Sequence, residues 1–306
     1  MMEGMNFAAI DIGTNAARLL IKNIDHNPLG ETKFRKVLFI RYPLRLGMDV
    51  YTIGKVGRER ATMMMRMIKG FKQMMTMYEV VDYRACATSA MRDAKNGGDL
   101  IKKIEKKTGV RIEIIEGKEE AAILYENHLS KLPDKAGAFI YVDVGGGSTE
   151  VTLIHDGGLV GSMSYNIGTI RLLHHAVKDN VVDNLKKDMG QMYDTYGPIN
   201  IIGSGGNINK LFRLADDVNR KDLKLPVDKL TALRDELNPL SVVERMDRFN
   251  LKPDRADVIV PAADIFLLIA NCIHADYVYV PTIGLADGII GALYDNAQKT
   301  VNDKAK

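Results

Sequence analysis

The sequence predicts an α/β protein built from two similar domains. Apolar, β-prone runs alternate with segments whose apolar residues recur at helical spacing, the pattern of mixed strands and helices. A strand–glycine–strand device, with an aspartate at the end of its first strand, occurs twice, about 130 residues apart; that separation points to related domains rather than a solenoid. The chain has 306 residues, enough for two ordinary domains with a substantial core.

The first device opens the chain. Residues 7–12 form an apolar run, 13–15 (GTN) a turn and 17–24 a second apolar run, so a β-hairpin is expected. Between 55 and 80, Ala61, Met64, Met65, Ile68, Phe71, Met75 and Tyr78 recur at helical spacing, giving an amphipathic helix with a soft, methionine-rich core face. The stretch 83–96 reads as strand, Thr-Ser turn and helix start, 99–109 as an amphipathic helix ended by Gly109, 110–115 as a strand and 118–130 as a helix. Residues 130–137 (SKLPDKAG) combine Pro, Gly and charge without periodicity and are the expected linker. The predicted domains are therefore 1–130 and 131–306, with the last helix free to pack back on the first.

The second device follows the linker. Residues 139–144 read as a strand, 145–147 (GGG) turn, and 148–155 alternate with the period of a strand, Glu150 lying beside the turn. Strand, glycines and strand in that order distinguish both devices from a dinucleotide-binding GxGxxG and from a P-loop, which pass from strand into helix. Residues 199–215 read as strand, glycine loop and helix, 216–226 as a charged connector, the next stretch as mostly helical, and 277–297 as strand, glycine turn and helix.

A formal net charge of +3 with 26% charged residues argues against a nucleic-acid binder driven by bulk electrostatics. The most apolar segment, 258–280, is broken by Pro261, Asp264 and His274 and reads as a buried helix and strand, so no membrane partner is expected. Two cysteines, Cys86 and Cys272, without a CxxC or a Cys/His cluster, read as buried thiols in a reducing compartment. The N-terminal stretch lacks the basic and apolar regions of a signal peptide, so a cytoplasmic location is expected.

A backbone without Cβ atoms can approach a ligand closely and aim several N–H groups at one oxygen cluster, and phosphate best rewards that arrangement. The expected phosphate loops are Gly145, Gly146 and Gly147 with Ser148 and Thr149, and Gly13 with Thr14 and Asn15. A third loop, GSGGN (203–207), opens a helix, so Gly205 and Gly206 would meet a phosphate at the positive end of a macrodipole. Asp11 and Asp143 end strands beside these loops and, joined by Glu150, suit a hard divalent ion; each alone would also serve as a turn cap. Glu119 and Glu120 stand in the first turn of a helix, where either acid favours the dipole and either could serve as a base; spacing does not choose between them.

The stretches AAIDIGTNAARLLI (8–21), YPLRLGMDV (42–50), ATSAMRDAKN (87–96), IEIIEGKEEAAILY (112–125), YVDVGGGSTEV (141–151), IGTIRLL (167–173), IGSGGN (202–207), RADVIVPAADI (255–265) and IGLADGI (283–289) carry a family likeness over nearly the whole chain. The chain resembles the exopolyphosphatase/guanosine pentaphosphate phosphohydrolase family of the actin-like ATPase superfamily. The resemblance implies two ribonuclease-H-like domains with a cleft between them. It implies Mg²⁺-dependent hydrolysis of a terminal phosphoanhydride, in inorganic polyphosphate or at the 5′ end of guanosine pentaphosphate, with guanosine tetraphosphate as a related ligand. It matches Glu120 to the catalytic base, Asp143 and Glu150 to the acids that hold metal and water, and Arg92 to an arginine that offsets substrate charge. A homodimer is compatible with it.

Four positions depart from the family pattern: Ala286 and Ala122 where arginines are usual, Ala16 for a serine and Ala262 for a glycine. They point to a narrowed substrate range. They also motivate a second reading, a catalytically weak sensor of polyphosphate or an alarmone. Longer family members carry an additional C-terminal helical region, so short polyphosphates or a nucleotide are the expected substrates here.

Overall fold

The structure, a computed structural model, describes residues 4–26, 31–129, 136–281 and 284–304. It divides into two compact units, Met1–Asn127 with Leu285–Lys306, and His128–Gly284.

The first unit runs β1 (Met5–Ile12), β2 (Ala17–His26), β3 (Thr32–Tyr42), α1 (Leu46–Ile53), α2 (Arg58–Met77), β4 (Val80–Ala87), α3 (Ser89–Asp93), α4 (Gly97–Thr108), β5 (Glu113–Ile114) and α5 (Gly117–Leu129). Residues 7–12 of β1 are buried without interruption, as a central strand covered on both faces requires. It pairs antiparallel with β2, from Met5 opposite Ile24 to Ile12 opposite Ala17, and parallel with β4 on its other side. Among the described residues the sheet order is β3-β2-β1-β4-β5. The predicted methionine-rich face of α2 supplies Met64, Ile68, Phe71 and Met75 to the core; Met67, outside the predicted set, is buried as well, and the predicted Met65 is half-buried. Gly109 ends α4 in the left-handed conformation, at φ 71°.

The second unit runs β6 (Ala138–Val144), β7 (Thr149–His155), β8 (Gly158–Tyr165), α6 (Thr169–Leu173), α7 (Asp179–Tyr196), β9 (Ile199–Ser204), α8 (Gly206–Leu214), β10 (Lys224–Pro226), α9 (Val227–Leu237), α10 (Val242–Phe249), α11 (Pro253–Ala256), α12 (Ile259–Cys272) and β11 (Tyr277–Tyr279). Its sheet order is β10-β11-β9-β6-β7-β8 among the described residues. Again the central strand, β6, has an antiparallel partner on one side (β7) and a parallel one on the other (β9). Both sheets thus have the ribonuclease-H-like arrangement that the family resemblance implies. The apolar helix α12 is buried within this unit's core. No helix among the described residues is long and apolar enough to cross a membrane.

The last helix, α13 (Leu285–Lys304), belongs to the first unit. Tyr294 meets Phe7 of β1 edge-on at 6.3 Å between ring centroids, and Asp287 pairs with Lys22 of β2 at 2.6 Å. Gly288 lies against α5 so closely that a Cβ would sit 2.6 Å from the Ile123 carbonyl oxygen.

Two strands, β3 and β8, have no clear period in the sequence. They are the outer antiparallel strands of their sheets, and most of β3 is exposed, so main-chain bonding to a neighbour holds them rather than a buried face. The predicted strand at 110–115 shrinks to Glu113–Ile114, the part that pairs with β4. Cys86 is buried in β4, and desolvation pushes its thiol up to about 12. A disulfide reagent at pH 8 is therefore expected to label native Cys86 only after unfolding, with the half-buried Cys272 labelled first; rapid native labelling of Cys86, mapped by peptide mass, would contradict its burial.

Candidate active site

Both hairpin turns close the same way. Gly13 N–H donates to Ala16 O at 3.1 Å, and Gly145 N–H donates to Ser148 O at 2.9 Å. In both, the start of the helix after the third strand then ties back the loop carbonyls. In the first unit Gly47 N–H donates to Thr14 O at 3.0 Å and Arg45 N–H to Asn15 O at 2.9 Å. In the second, Thr169 N–H donates to Gly145 O at 3.0 Å, Ile170 and Arg171 N–H donate to Gly146 O at 2.8 and 3.0 Å, and Arg171 Nε donates to Gly147 O at 2.8 Å.

This has a direct consequence for the amides. In a trans peptide the N–H points opposite to the C=O. Holding the carbonyls of Gly145, Gly146 and Gly147 toward α6 turns the N–H groups of Gly146, Gly147 and Ser148 the other way. None of these three N–H groups has a protein acceptor among the described residues. Amides turned to one side of a glycine loop in this way are able to receive an anion. Gly168 makes the arrangement possible, because a Cβ there would lie 2.5 Å from Gly146 C and Gly147 N.

The hydroxyls predicted to face phosphate have protein partners instead. Ser148 Oγ donates to Glu150 Oε1 at 2.6 Å, Thr149 Oγ1 donates to Ile167 O at 2.7 Å, and Thr14 Oγ1 shares a 2.8 Å bond with Ser89 Oγ. They shape the loops, which leaves the amides as the available donors of the second loop.

The acids divide by unit. In the second, Asp143 and Glu150 are cross-strand partners on β6 and β7, and an oxygen of each lies within 4.8 Å of the other. Glu150 is 2% exposed, and Ser164 Oγ also donates to its Oε1, at 2.9 Å. Gly205, the residue before α8, has φ 101°, and a Cβ there would lie 2.8 Å from Asp143 Oδ1. The positive end of α8 thus stands beside this carboxylate. A Cβ on Gly206 would lie 2.9 Å from the Arg255 guanidinium, whose Nη1 donates to Asn207 Oδ1 at 3.0 Å. Two adjacent carboxylates offering hard oxygen donors can hold a divalent ion such as Mg²⁺.

In the first unit, Asp11 occupies the position of Asp143. Its cross-strand partner, though, is Arg18, whose Nη1 donates to Asp11 Oδ2 at 2.6 Å. The matched position therefore carries a cation in one device and a carboxylate in the other. Arg92 on α3 donates to Ile115 O at 2.7 Å. Glu120, in the first turn of α5, is 7% exposed. Its neighbour Glu119 is 46% exposed and pairs with Arg84 at 2.5 Å. Burial separates the two glutamates that spacing left equivalent.

The Ppx/GppA phosphatase family matches residues 29–297. The chain belongs to that family. Its homologues include exopolyphosphatases, which are phosphoanhydride hydrolases. This Ppx/GppA chain is 26% identical over 313 residues to the bifunctional 3-dehydroquinate synthase/phosphatase of Fusobacterium nucleatum, a match covering 95% of this chain and 46% of that protein. It is 31% identical over 170 residues to exopolyphosphatase 2 of Mycobacterium tuberculosis, covering 54% of this chain and 53% of that one. These matches span about half the length of both curated relatives. Its fold matches the crystal structure of an exopolyphosphatase from Cytophaga hutchinsonii with a TM-score of 0.82 at 21% identity, covering 95% of this chain and 98% of that one.

Sequence reasoning assigned no role to Gly168, Arg171, Arg18 or Arg45. For Arg18 the signal was countable, since it follows Asp11 by the same interval at which Glu150 follows Asp143. Gly168 and Arg171 lie in the IGTIRLL stretch (167–173) that carries the family likeness, but nothing in its spacing from the glycine loop announces their contacts with it.

Proposed function

We propose that this Ppx/GppA chain hydrolyses the terminal phosphoanhydride of inorganic polyphosphate, with the 5′ phosphate of guanosine pentaphosphate as a second substrate to be tested. The observation that carries the reading is the loop 145–148, whose tied-back carbonyls leave three amides facing one way beside the Asp143–Glu150 pair. The amides of Gly146, Gly147 and Ser148 would hold the oxygens of the terminal phosphate and stabilise charge that builds on them. Arg18, by neutralising Asp11, makes the first loop the less acidic of the two and suits it to phosphate rather than metal. Gly13, Thr14 and Asn15 hold the next phosphate in this reading, and Arg92 offsets its charge. Asp143 and Glu150 would hold the metal, with Asp11 offering it at most Oδ1, and a bound Mg²⁺ would neutralise the transferring phosphoryl group. Glu120 would orient and deprotonate the attacking water. No covalent intermediate is required.

The test is phosphate release, with Mg²⁺, from polyphosphates of defined length and from guanosine pentaphosphate. Release from any of them supports the hydrolase and ranks its substrates; binding without release from all of them overturns it. Glu150→Gln is expected to weaken binding of Mn²⁺, used as a spectroscopic stand-in, by about tenfold or more, since it replaces one of two charged ligands. Unchanged Mn²⁺ affinity in that variant would move the metal away from this pair.

A further inference from the structure

The first unit also carries a cationic groove whose lining includes none of the loop residues and acids assigned above. Helices α2 and α4 pack side by side, and a groove of about 680 Å³ runs between them. Six cations line it: Lys55, Arg58, Arg66 and Lys69 from α2 and its approach, and Lys103 and Lys107 from α4. All six are exposed. The one carboxylate lining it is Asp99; Glu59 and Glu105, the other acids of these helices, do not reach it. Six cations against one carboxylate leave a local surplus of five, more than the +3 of the whole chain.

The surplus is not neutralised within the protein. Elsewhere Arg18, Lys22, Arg60, Arg84 and Arg234 each pair with a carboxylate. Among the described residues, none of the six groove cations has a carboxylate within 4.0 Å. Like charges one turn apart on a helix face repel, so such a stripe costs stability unless a ligand compensates it. The groove is also a built feature. Asn96 Nδ2 donates to Val56 O and Val56 N–H donates to Asn96 Oδ1, each at 2.9 Å, so one side chain clips the start of α4 to the approach of α2.

The lining contains no Phe, Tyr or Trp. Sites for single-stranded nucleic acid stack bases on aromatic rings, and a nucleotide would want the same. Exposed ammonium and guanidinium groups without a stacking platform suit an anion that carries charge and no base. We propose that this groove is a non-catalytic binding site for inorganic polyphosphate, anchoring chains longer than the short substrates expected from the sequence while an end is hydrolysed elsewhere. The proposal rests on the polyphosphate reading above for its ligand. Anchoring at a second point raises apparent affinity by making end capture intramolecular, so its effect grows with chain length.

The experiment compares the full chain with an Arg66→Gln/Lys69→Gln/Lys103→Gln variant, three exposed residues outside the proposed catalytic machinery. On long-chain polyphosphate KM is expected to rise about tenfold or more, with a weaker salt dependence, whereas kcat and KM on tripolyphosphate stay within about twofold. Equal effects on long and short substrates, in a variant with native circular dichroism and thermal unfolding, would overturn the anchor. Direct binding of long-chain polyphosphate to both proteins keeps this distinct from the hydrolase question. Loss of that binding in the variant supports the groove even where no phosphate is released, and unchanged binding overturns it. Single-stranded RNA that displaces polyphosphate at equal charge concentration would also overturn it, by showing a general polyanion surface.

Discussion

Replacing Glu120 by Gln is expected to lower phosphate release from polyphosphate by about 10²–10⁴-fold, the range supplied by a positioned general base, while polyphosphate still binds. Glutamine keeps the size of the side chain and its hydrogen-bonding reach, so in the proposed mechanism the loss would report the carboxylate's proton-accepting role. The control is its neighbour. Glu119 is half exposed and pairs with Arg84, and a surface pair of that kind contributes up to about 1 kcal/mol. Glu119→Gln should therefore leave the rate within about twofold and lower the unfolding temperature slightly at most. Single-turnover rates for both variants decide the matter. A normal rate in Glu120→Gln with a collapsed rate in Glu119→Gln would reverse the assignment; normal rates in both would remove the base from this helix altogether.

Substituting Gly168 by Ala is expected to have the largest structural effect at the second loop. Gly168 has an extended backbone, φ −153°, so alanine adds no torsional strain. The obstacle is steric: the new Cβ would meet main-chain atoms of Gly146 and Gly147 at 2.5 Å, and backbone cannot swing aside as a flexible side chain can. Relief requires moving either the loop or the start of α6, which breaks the bonds from Thr169 and Ile170 to the loop carbonyls. Overpacking of this kind costs about 1–3 kcal/mol. Phosphate affinity should fall as well, because the amides of Gly146, Gly147 and Ser148 lose their common direction. Gly161→Ala on β8 is the matched control, since a Cβ there meets nothing within 4 Å. Thermal unfolding and polyphosphate binding of the two variants test the claim; equal behaviour would show that the loop yields without consequence.

The hairpins, their aspartates and the methionine-rich helix were legible because each depends on nearest neighbours along the chain. A period-two apolar run, a glycine turn and a 3.6-residue stripe are local patterns, and α2 buries the face its spacing predicts. Edge strands β3 and β8 were not legible, since main-chain pairing leaves no alternation in side-chain polarity. By spacing alone Glu119 and Glu120 were indistinguishable, since both satisfy the same helix dipole; the family resemblance pointed to Glu120, and burial separates the two.

The sequence by itself determined the two devices, the order of their strands and the acids beside them, because backbone conformation follows from short-range sterics and periodicity. The tertiary structure alone decided what the glycines do. Gly205 stands beside Asp143, Gly168 beside Gly146, and the α6 amides draw the loop carbonyls to one side. These partners are distant or unmarked in the chain and meet only when β6, β9 and α6 are packed together. Peptide planarity then turns the opposite amides outward, a directional property that residue order does not encode.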